Sequence, residues 1–348
     1  MKSYKIAEGK YLVTNGTMVF ESAVPVFEKN TNKVSRLILI SEKYYKSVQA
    51  LKDIGIKTDY ADPELLEYII KNDVITISDG EHKFTVSKAD KDNTIVFIKS
   101  GYSQQILAYL YEELAKLGVL VINTPNAVAN TANKWITYEL LQNAGLPQPT
   151  SVLVSSNDVS KKDDSLLIKK LRSIYKKEDD SNKYVCKLLK SHGGHGVFCC
   201  REKNIVSILQ AIFAVKDTEN ILIQKALDIK DGDIRVNVLT IDGKQTIINA
   251  VKRSGGSSGD FRTNLSLGGH SEEIILTKEQ ERLAYEAAKV SGLTWAGVDI
   301  LEDKTGKLYI IEVNGAPGTP FDVEDQEDLL KKNTEFYASL IKKIDSLK

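Results

Sequence analysis

Apolar and polar positions along this chain follow two rhythms, and the places where one gives way to the other divide it into three parts. Short apolar runs at Arg36–Ile40, Thr94–Lys99 and Val119–Ile122, with a helical spacing of apolar residues over Ser103–Leu117, predict a small α/β domain over residues 1–122. Asn15-Gly16 inside Tyr11–Phe20 and Asp79-Gly80 inside Val74–Val86 add two hairpin signals. The second part, 123–227, opens at the turn Asn123-Thr124-Pro125 and continues as one helix over Asn130–Ala144, stopping at Gly145 ahead of Pro147 and Pro149. Between Lys161 and Lys183 charges alternate and apolar residues are few, which predicts an exposed insertion or solvated loop. The third part, 228–348, has strand patterns at 233–240, 245–251, 296–302 and 307–313 and helical ones at Lys278–Ser291 and Glu324–Leu347. The chain thus reads as α/β (α+β).

The polar residues that interrupt these apolar runs carry the chemistry. Within Trp295–Asn314, Asp299, Glu312 and Asn314 sit in two strand-like runs. Side chains alternate along a strand, so Glu312 and Asn314 share one face, Val313 takes the other, and a tight turn near Lys304–Lys307 brings Asp299 alongside them. A bare buried carboxylate costs several kcal/mol, so a counter-charge is expected, and a hard divalent cation suits this oxygen set. The same residues also read as strand-end groups meeting water or a lysine.

Residues 184–201 read strand, glycine loop, strand, with Lys187 in the first strand and Gly193, Gly194 and Gly196 in the loop. Unobstructed backbone amides beside an ammonium suit a phosphate chain, although a plain hairpin turn fits the glycines too. The loop leads into a strand and lacks the Lys-Ser or Lys-Thr of a Walker A motif. Residues 221–239 form an apolar strand that stops at Gln224–Leu227, where free backbone groups would read an adenine edge, and resume as Asp233–Leu239. The polar stretch Lys252–Gly269, with Lys252, Arg253 and Arg262, predicts a loop serving as an anion clamp.

In this order, Lys134, Lys187 with its glycine loop, the Gln224–Leu227 break, DIR at 233–235, GDFRTN at 259–264, AGVDIL at 296–301 and EVN at 312–314 resemble an ATP-grasp ligase. The resemblance is to the branch of ribosomal protein S6 modification enzymes and covers about residues 119–320. It implies an ATP-grasp fold, with an N-terminal α/β domain (1–122) and ATP held between two α+β subdomains (123–227, including a lid, and 228–348). It implies a ligase that joins a carboxylate to an amine through an acyl phosphate, adding an amino acid such as glutamate to a protein tail or small metabolite. By the same resemblance Lys134 and Lys187 contact nucleotide phosphates, and the loop including Ser191, Gly193, Gly194 and Gly196 covers them. Gln224, Lys225, Ala226 and Leu227 form the adenine hinge, with Asp233 beside the nucleotide. Asp299, Glu312 and Asn314 hold Mg²⁺, or Mn²⁺ in its place. Arg235 and Arg262, with Asn264, face the reacting carboxyl and γ-phosphate. Two departures stand out: Lys225 where the family commonly has glutamate, and His192 and His195 in the phosphate loop, read here as loop-lining or phosphate-contacting imidazoles. His270 reads as an ordinary loop imidazole.

Composition narrows the partners. Lys plus Arg number 47 against 47 Asp plus Glu, so no global field favours nucleic acid or an anionic membrane. With no signal peptide, no apolar run of membrane-spanning length and three cysteines, the sequence predicts a cytoplasmic protein. Cys186, Cys199 and Cys200 are expected as small buried hydrophobes. The substrates, and whether the chain forms a homo-oligomer, stay open. A nucleotide-binding regulatory protein and a phosphotransferase on the same scaffold are the alternative functions.

Overall fold

In the computed structural model the described residues are 11–14, 17–20, 34–41, 51–52, 55–98, 105–159, 165–174, 182–191, 196–215, 220–229, 232–255, 270–317 and 326–347. The N-terminal part holds strands β1 (Tyr11–Thr14), β2 (Thr17–Phe20), β3 (Arg36–Ile40), β4 (Lys57–Ala61), β5 (Glu67–Lys71), β6 (Val74–Ser78), β7 (Lys83–Ser87) and β8 (Thr94–Ile98), then helix α1 (Gln105–Lys116) and strand β9 (Leu120–Ile122). Strands β4-β3-β8-β9 make a parallel sheet, in which every residue of β3 and β8 is buried. Continuous apolar strands are what a sheet covered on both faces requires. Both expected hairpins form, β1 with β2 and β6 with β7, while β4 and β5 carried no strand signal strong enough to predict them.

The middle of the chain holds α2 (Pro125–Ala132), α3 (Lys134–Asn143), β10 (Ser151–Ser155), α4 (Ser156–Val159), α5 (Ser165–Arg172), β11 (Lys183–Leu188), β12 (Val197–Arg201), α6 (Glu202–Val215) and β13 (Asn220–Lys225). The single helix expected over Asn130–Ala144 is two. Asn133 is extended, and its side chain accepts from the amides of Trp135 and Ile136, so it caps α3 and leaves Lys134 as that helix's first residue. The exposed insertion expected between Lys161 and Lys183 also needs correction: α5 lies within it, with Leu167 and Leu171 buried on one face four residues apart. Its basic residues hid that stripe. The four strands pair antiparallel in the order β10-β13-β11-β12.

The remainder holds β14 (Asp233–Ile241), β15 (Lys244–Ser254), β16 (His270–Glu273), α7 (Lys278–Ser291), β17 (Trp295–Glu302), β18 (Leu308–Asn314) and α8 (Gln326–Leu347). A capping box of Thr277 with Gln280 starts α7, and Gly292 in the left-handed region ends it. The large antiparallel sheet runs β16-β15-β14-β17-β18. One face carries Val236, Val238, Ala250, Ala296, Val298 and Val313 against α7, α2 and α3. The opposite face begins at Trp295, whose ring packs edge-on against Phe97 of the N-terminal sheet and tilted against Phe336 of α8. Buried Asn123 fixes this junction, donating to the Trp295 and Gly315 carbonyls and accepting from the Trp295 amide.

Candidate active site

Alternation along the large sheet decides which side chains meet. Asp233 and Arg235 of β14, Arg253 of β15, Asp299 of β17, and Glu312 and Asn314 of β18 share the face that holds Trp295, while Val298 and Val313 point the other way. Asp299 is opposite Glu312 in register, as the turn near Lys304–Lys307 predicts. Its carboxylate, 3% exposed, accepts both nitrogens of an Arg235 fork, one at 2.8 Å, and Arg253 Nη2 at 3.0 Å. Arg253 also grips Asp233 through Nε at 3.1 Å and through Nη2. Burial alone pushes the Asp299 carboxyl up, but the two guanidinium groups outweigh it and hold the pKa below the usual carboxylate range. Burial likewise works against the Arg253 charge, and Asp299 and Asp233 together raise its pKa. Gly297 makes room for this arrangement: a Cβ there would lie 2.8 Å from Pro317 Cβ and 3.3 Å from Arg235 Cδ.

Arg253 is the residue that sequence reasoning misplaced. Lys252 and Arg253 belong to β15 rather than to a loop, and Arg253 is buried between two carboxylates instead of clamping an anion. The signal was available in the spacing Asn249, Val251, Arg253, which places all three on one face. Arg262, Asn264, Gly193, Gly194, His192 and His195 lie outside the described residues.

The facing wall comes from the four-stranded sheet. Lys187 lies on β11, and its ammonium has no hydrogen bond or ion pair among the described residues. Burial depresses its ammonium most, Lys134 adds to the depression, Glu312 and Asp299 oppose it, and the pKa is pulled down to about 8. Lys134 has firmer partners, donating to the Ser191 carbonyl at 2.6 Å and Ser191 Oγ at 3.3 Å and standing 3.3 Å from Glu312 Oε1. It therefore ties the start of the glycine loop to β18. Gly196 closes that loop in the left-handed region, its carbonyl accepting from the Leu188 amide at 2.9 Å.

The expected hinge differs from its description in the sequence. Gln224 and Lys225 end β13, and the buried Gln224 side chain donates to Ser151 Oγ at 3.0 Å. The amides of Lys225 and Ala226 are not free, since they donate to the carbonyls of Thr150 and Lys183. The Leu227 amide has no partner among the described residues. Just beyond, Asp228 receives the amide and ammonium of Lys304, fastening the hinge to the β17–β18 turn.

The cysteines divide by face. Cys186 and Cys200 are buried in the core of the smaller sheet, as expected, but Cys199 is exposed, because alternation along β12 turns it outward. No helix among the described residues is long and apolar enough to cross a membrane.

Asp299, Glu312 and the Asn314 amide offer two carboxylates and an amide oxygen, a donor set that suits Mg²⁺ completed by phosphate oxygens. Among the described residues no group of three or more His, Cys, Asp or Glu forms a metal cage. Asn314 Nδ2 lies 3.4 Å from Asp299 Oδ2, so ligation through its oxygen requires the amide to turn over, and Asp299 must share its charge with the arginines.

A family model described as a RimK-like ATP-grasp domain matches residues 131–332. A Vibrio atlanticus protein named "Probable alpha-L-glutamate ligase" is 33% identical over 204 residues, 58% of this chain but only 61% of the relative's length. A Haemophilus influenzae protein of the same name is 27% identical over 297 residues, 81% of this chain and 89% of its own. Among solved structures, the ATP-grasp ligase PsnB complexed with a phosphomimetic variant of its minimal precursor, Mg and ADP aligns with TM-score 0.60 at 17% identity, covering 89% of this chain and 99% of its own. D-alanyl-alanine synthetase A from Vibrio cholerae aligns with TM-score 0.59 at 16% identity, over 91% of this chain and 100% of its own. The fold is the mixed α+β ATP-grasp fold.

Proposed function

The chain belongs to the RimK-like ATP-grasp family, and from that premise we propose that it is an ATP-dependent ligase joining a carboxylate to an amine, with ADP and phosphate as products. The observation that carries this reading is the gathering of Lys134, Lys187, Arg235 and Arg253 around Asp233, Asp299 and Glu312. Four cations against three carboxylates leave a surplus of positive charge where a polyphosphate would lie.

A carboxylate has no leaving group, so its activation needs a phosphoryl transfer from ATP; the amine then attacks the acyl phosphate and phosphate departs. Such chemistry is governed by positioning and charge neutralisation. Lys187, whose ammonium has no partner among the described residues, and Lys134 hold the nucleotide phosphates between the two sheets. Arg235, with Arg262, orients the carboxyl and the transferring phosphoryl group. Asp299, Glu312 and Asn314 would hold Mg²⁺ (or Mn²⁺), which when bound neutralises polyphosphate charge. Relatives named for glutamate and a neighbour complexed with a precursor support an amino acid or peptide as one partner. The setting we assign is the cytoplasm.

The test is ADP release on adding candidate carboxylates with ATP and Mg²⁺, followed by hydroxylamine in place of the amine. A hydroxamate is the expected product. Release of AMP and pyrophosphate would show adenylation and overturn the reading.

A further inference from the structure

Far from the charged cluster, the N-terminal part carries a small antiparallel sheet, β5-β6-β7, in which β5 pairs with β6 alone. Lys71 and Val74 close the β5–β6 hairpin through a two-residue turn. Asn72 and Asp73 both take positive φ there, 51° and 59°, the type I′ geometry of a tight hairpin. The pair flanking such a turn exchanges both its backbone bonds, and bonded and non-bonded pairs alternate from it. Lys71, Ile69 and Glu67 therefore turn their amides and carbonyls to β6, while Ile70 and Tyr68 turn theirs to the open side. Neither Ile70 nor Tyr68 has a backbone partner on that side among the described residues.

The side chains along this edge are apolar where an edge strand is ordinarily guarded. Ile69 is 70% exposed on the outer face, and Ile70 is 47% exposed on the face that Tyr68, Ile75 and Ile77 turn to the N-terminal core. A lysine, a proline or a bulge in the middle of an edge keeps other strands away. Here charge stands only at the two ends, on Glu67 and Lys71, and neither is ion-paired among the described residues.

We propose that a second copy of this chain covers the edge, β5 lying antiparallel to β5 about a two-fold axis at Ile69. The strand is complementary to itself in that register. Glu67 stands opposite the partner's Lys71 on both sides of the axis, Ile69 meets its own copy between them, and the half-exposed Ile70 packs against the partner's Tyr68. Tyr68 and Ile70, whose backbone groups face outward, form the bonded pairs of the new ladder. A shift of two residues one way would set Glu67 against the partner's Asp73, and the other way against the partner's Ile69, so charge selects the register. A five-residue edge is a small contact beside the about 800 Å² per partner of a standard interface, so the dimer should dissociate in the micromolar range.

Sedimentation velocity of the full chain from about 1 to about 200 μM should show a monomer–dimer equilibrium. Ile69→Lys puts like charges on the axis at an exposed position, and should raise the dimer Kd at least about tenfold while the unfolding midpoint holds. Glu67→Lys and Lys71→Glu should each weaken self-association in the same way, whereas an equal mixture of the two variants should dimerise as the wild type does. Only the Ile69-centred pairing of opposite ends gives that restoration; a merely sticky edge would not. A wild type that stays monomeric throughout, an Ile69→Lys variant that dimerises normally, or a mixture that fails to recover overturns the proposal. So does a monomer whose Tyr68 and Ile70 amides gain exchange protection only on adding an acetylated peptide of alternating valine and threonine, which would give the edge to a foreign strand. None of these measurements reads turnover, so their outcome leaves the ligase reading untouched.

Discussion

The two sheets that face each other across the candidate site treat charge in opposite ways. On the large sheet, Asp233, Asp299, Arg235 and Arg253 neutralise one another within the protein, so the cluster is rigid before anything binds. On the smaller sheet the Lys187 ammonium has no hydrogen-bond or ion-pair partner among the described residues and its pKa is drawn down to about 8, so this wall is ready to receive an incoming anion. Preorganised dipoles on one side and an unsatisfied cation on the other are what a nucleotide-dependent transfer asks of a cleft. The contrast also separates residues whose loss harms the fold from those whose loss harms turnover.

The sharpest way to break the comparison is to remove charge from the large sheet. Asp299→Asn leaves the buried Arg253 and the half-buried Arg235 with one carboxylate, and unpairing a buried ion typically costs about 3–5 kcal/mol, a large share of a domain's stability. Urea denaturation should show that loss together with loss of turnover. Glu312→Gln, on the same row but more exposed and, among the described residues, ion-paired with Lys134 alone, should change stability by less than about 1 kcal/mol while removing metal-dependent turnover. Equal destabilisation by the two substitutions would show that the cluster is not the unit described here.

Lys187→Met tests the other wall. It should lower turnover by about 10²–10³-fold with no loss of thermal stability, because no contact is broken. The pH dependence has a definite sign. A lysine whose folded pKa is about 8 binds fewer protons than its unfolded form, so its effect favours the fold above the unfolded value of about 10.4 and is lost as pH falls through about 8. Stability should therefore rise from pH 8 towards 10 in the wild type, and this component should vanish in the variant. Nucleotide binding should restore the ammonium and take up about half a proton at pH 8, measured by calorimetry in buffers of different ionisation enthalpy. Proton uptake unchanged in Lys187→Met would assign the titration to another group.

How much of this was legible before the fold was known depends on whether the signal was local. Asp299, Glu312 and Asn314 stood out because polar residues inside apolar strands are costly, and the turn that pairs their strands lies between them in sequence. Helix α7 was readable to its ends from Thr277, Gln280 and Gly292. Arg253 was not, since its partners Asp233 and Asp299 reach it only through the register of three strands. Helix α5 was concealed by its own lysines, and the break at Asn133 depended on a side chain choosing to cap rather than continue a helix. The adenine hinge was read at Gln224–Leu227 from a break in an apolar strand, but the hydrogen bonds that occupy its Lys225 and Ala226 amides go to Thr150 and Lys183, far away along the chain.

The smallest expected effect concerns three cysteines that the sequence treats alike and the sheet does not. Cys199 faces outward on β12, whereas Cys186 and Cys200 sit in the core of the same sheet, where burial and the neighbouring thiol alter their acidity. Burial also raises the pKa of the exposed-side thiol Cys199, so it is not an activated nucleophile. Cys199→Ser should therefore change stability by no more than about 0.5 kcal/mol, as surface substitutions do, and leave the Lys187 wall intact. Cys186→Ser places a hydroxyl among apolar neighbours one residue from Lys187 and should cost about 1–3 kcal/mol. Denaturant midpoints of the two variants measured side by side decide the matter: a Cys199→Ser loss equal to that of Cys186→Ser would mean that β12 is turned the other way, and that the smaller sheet presents a different face to the nucleotide.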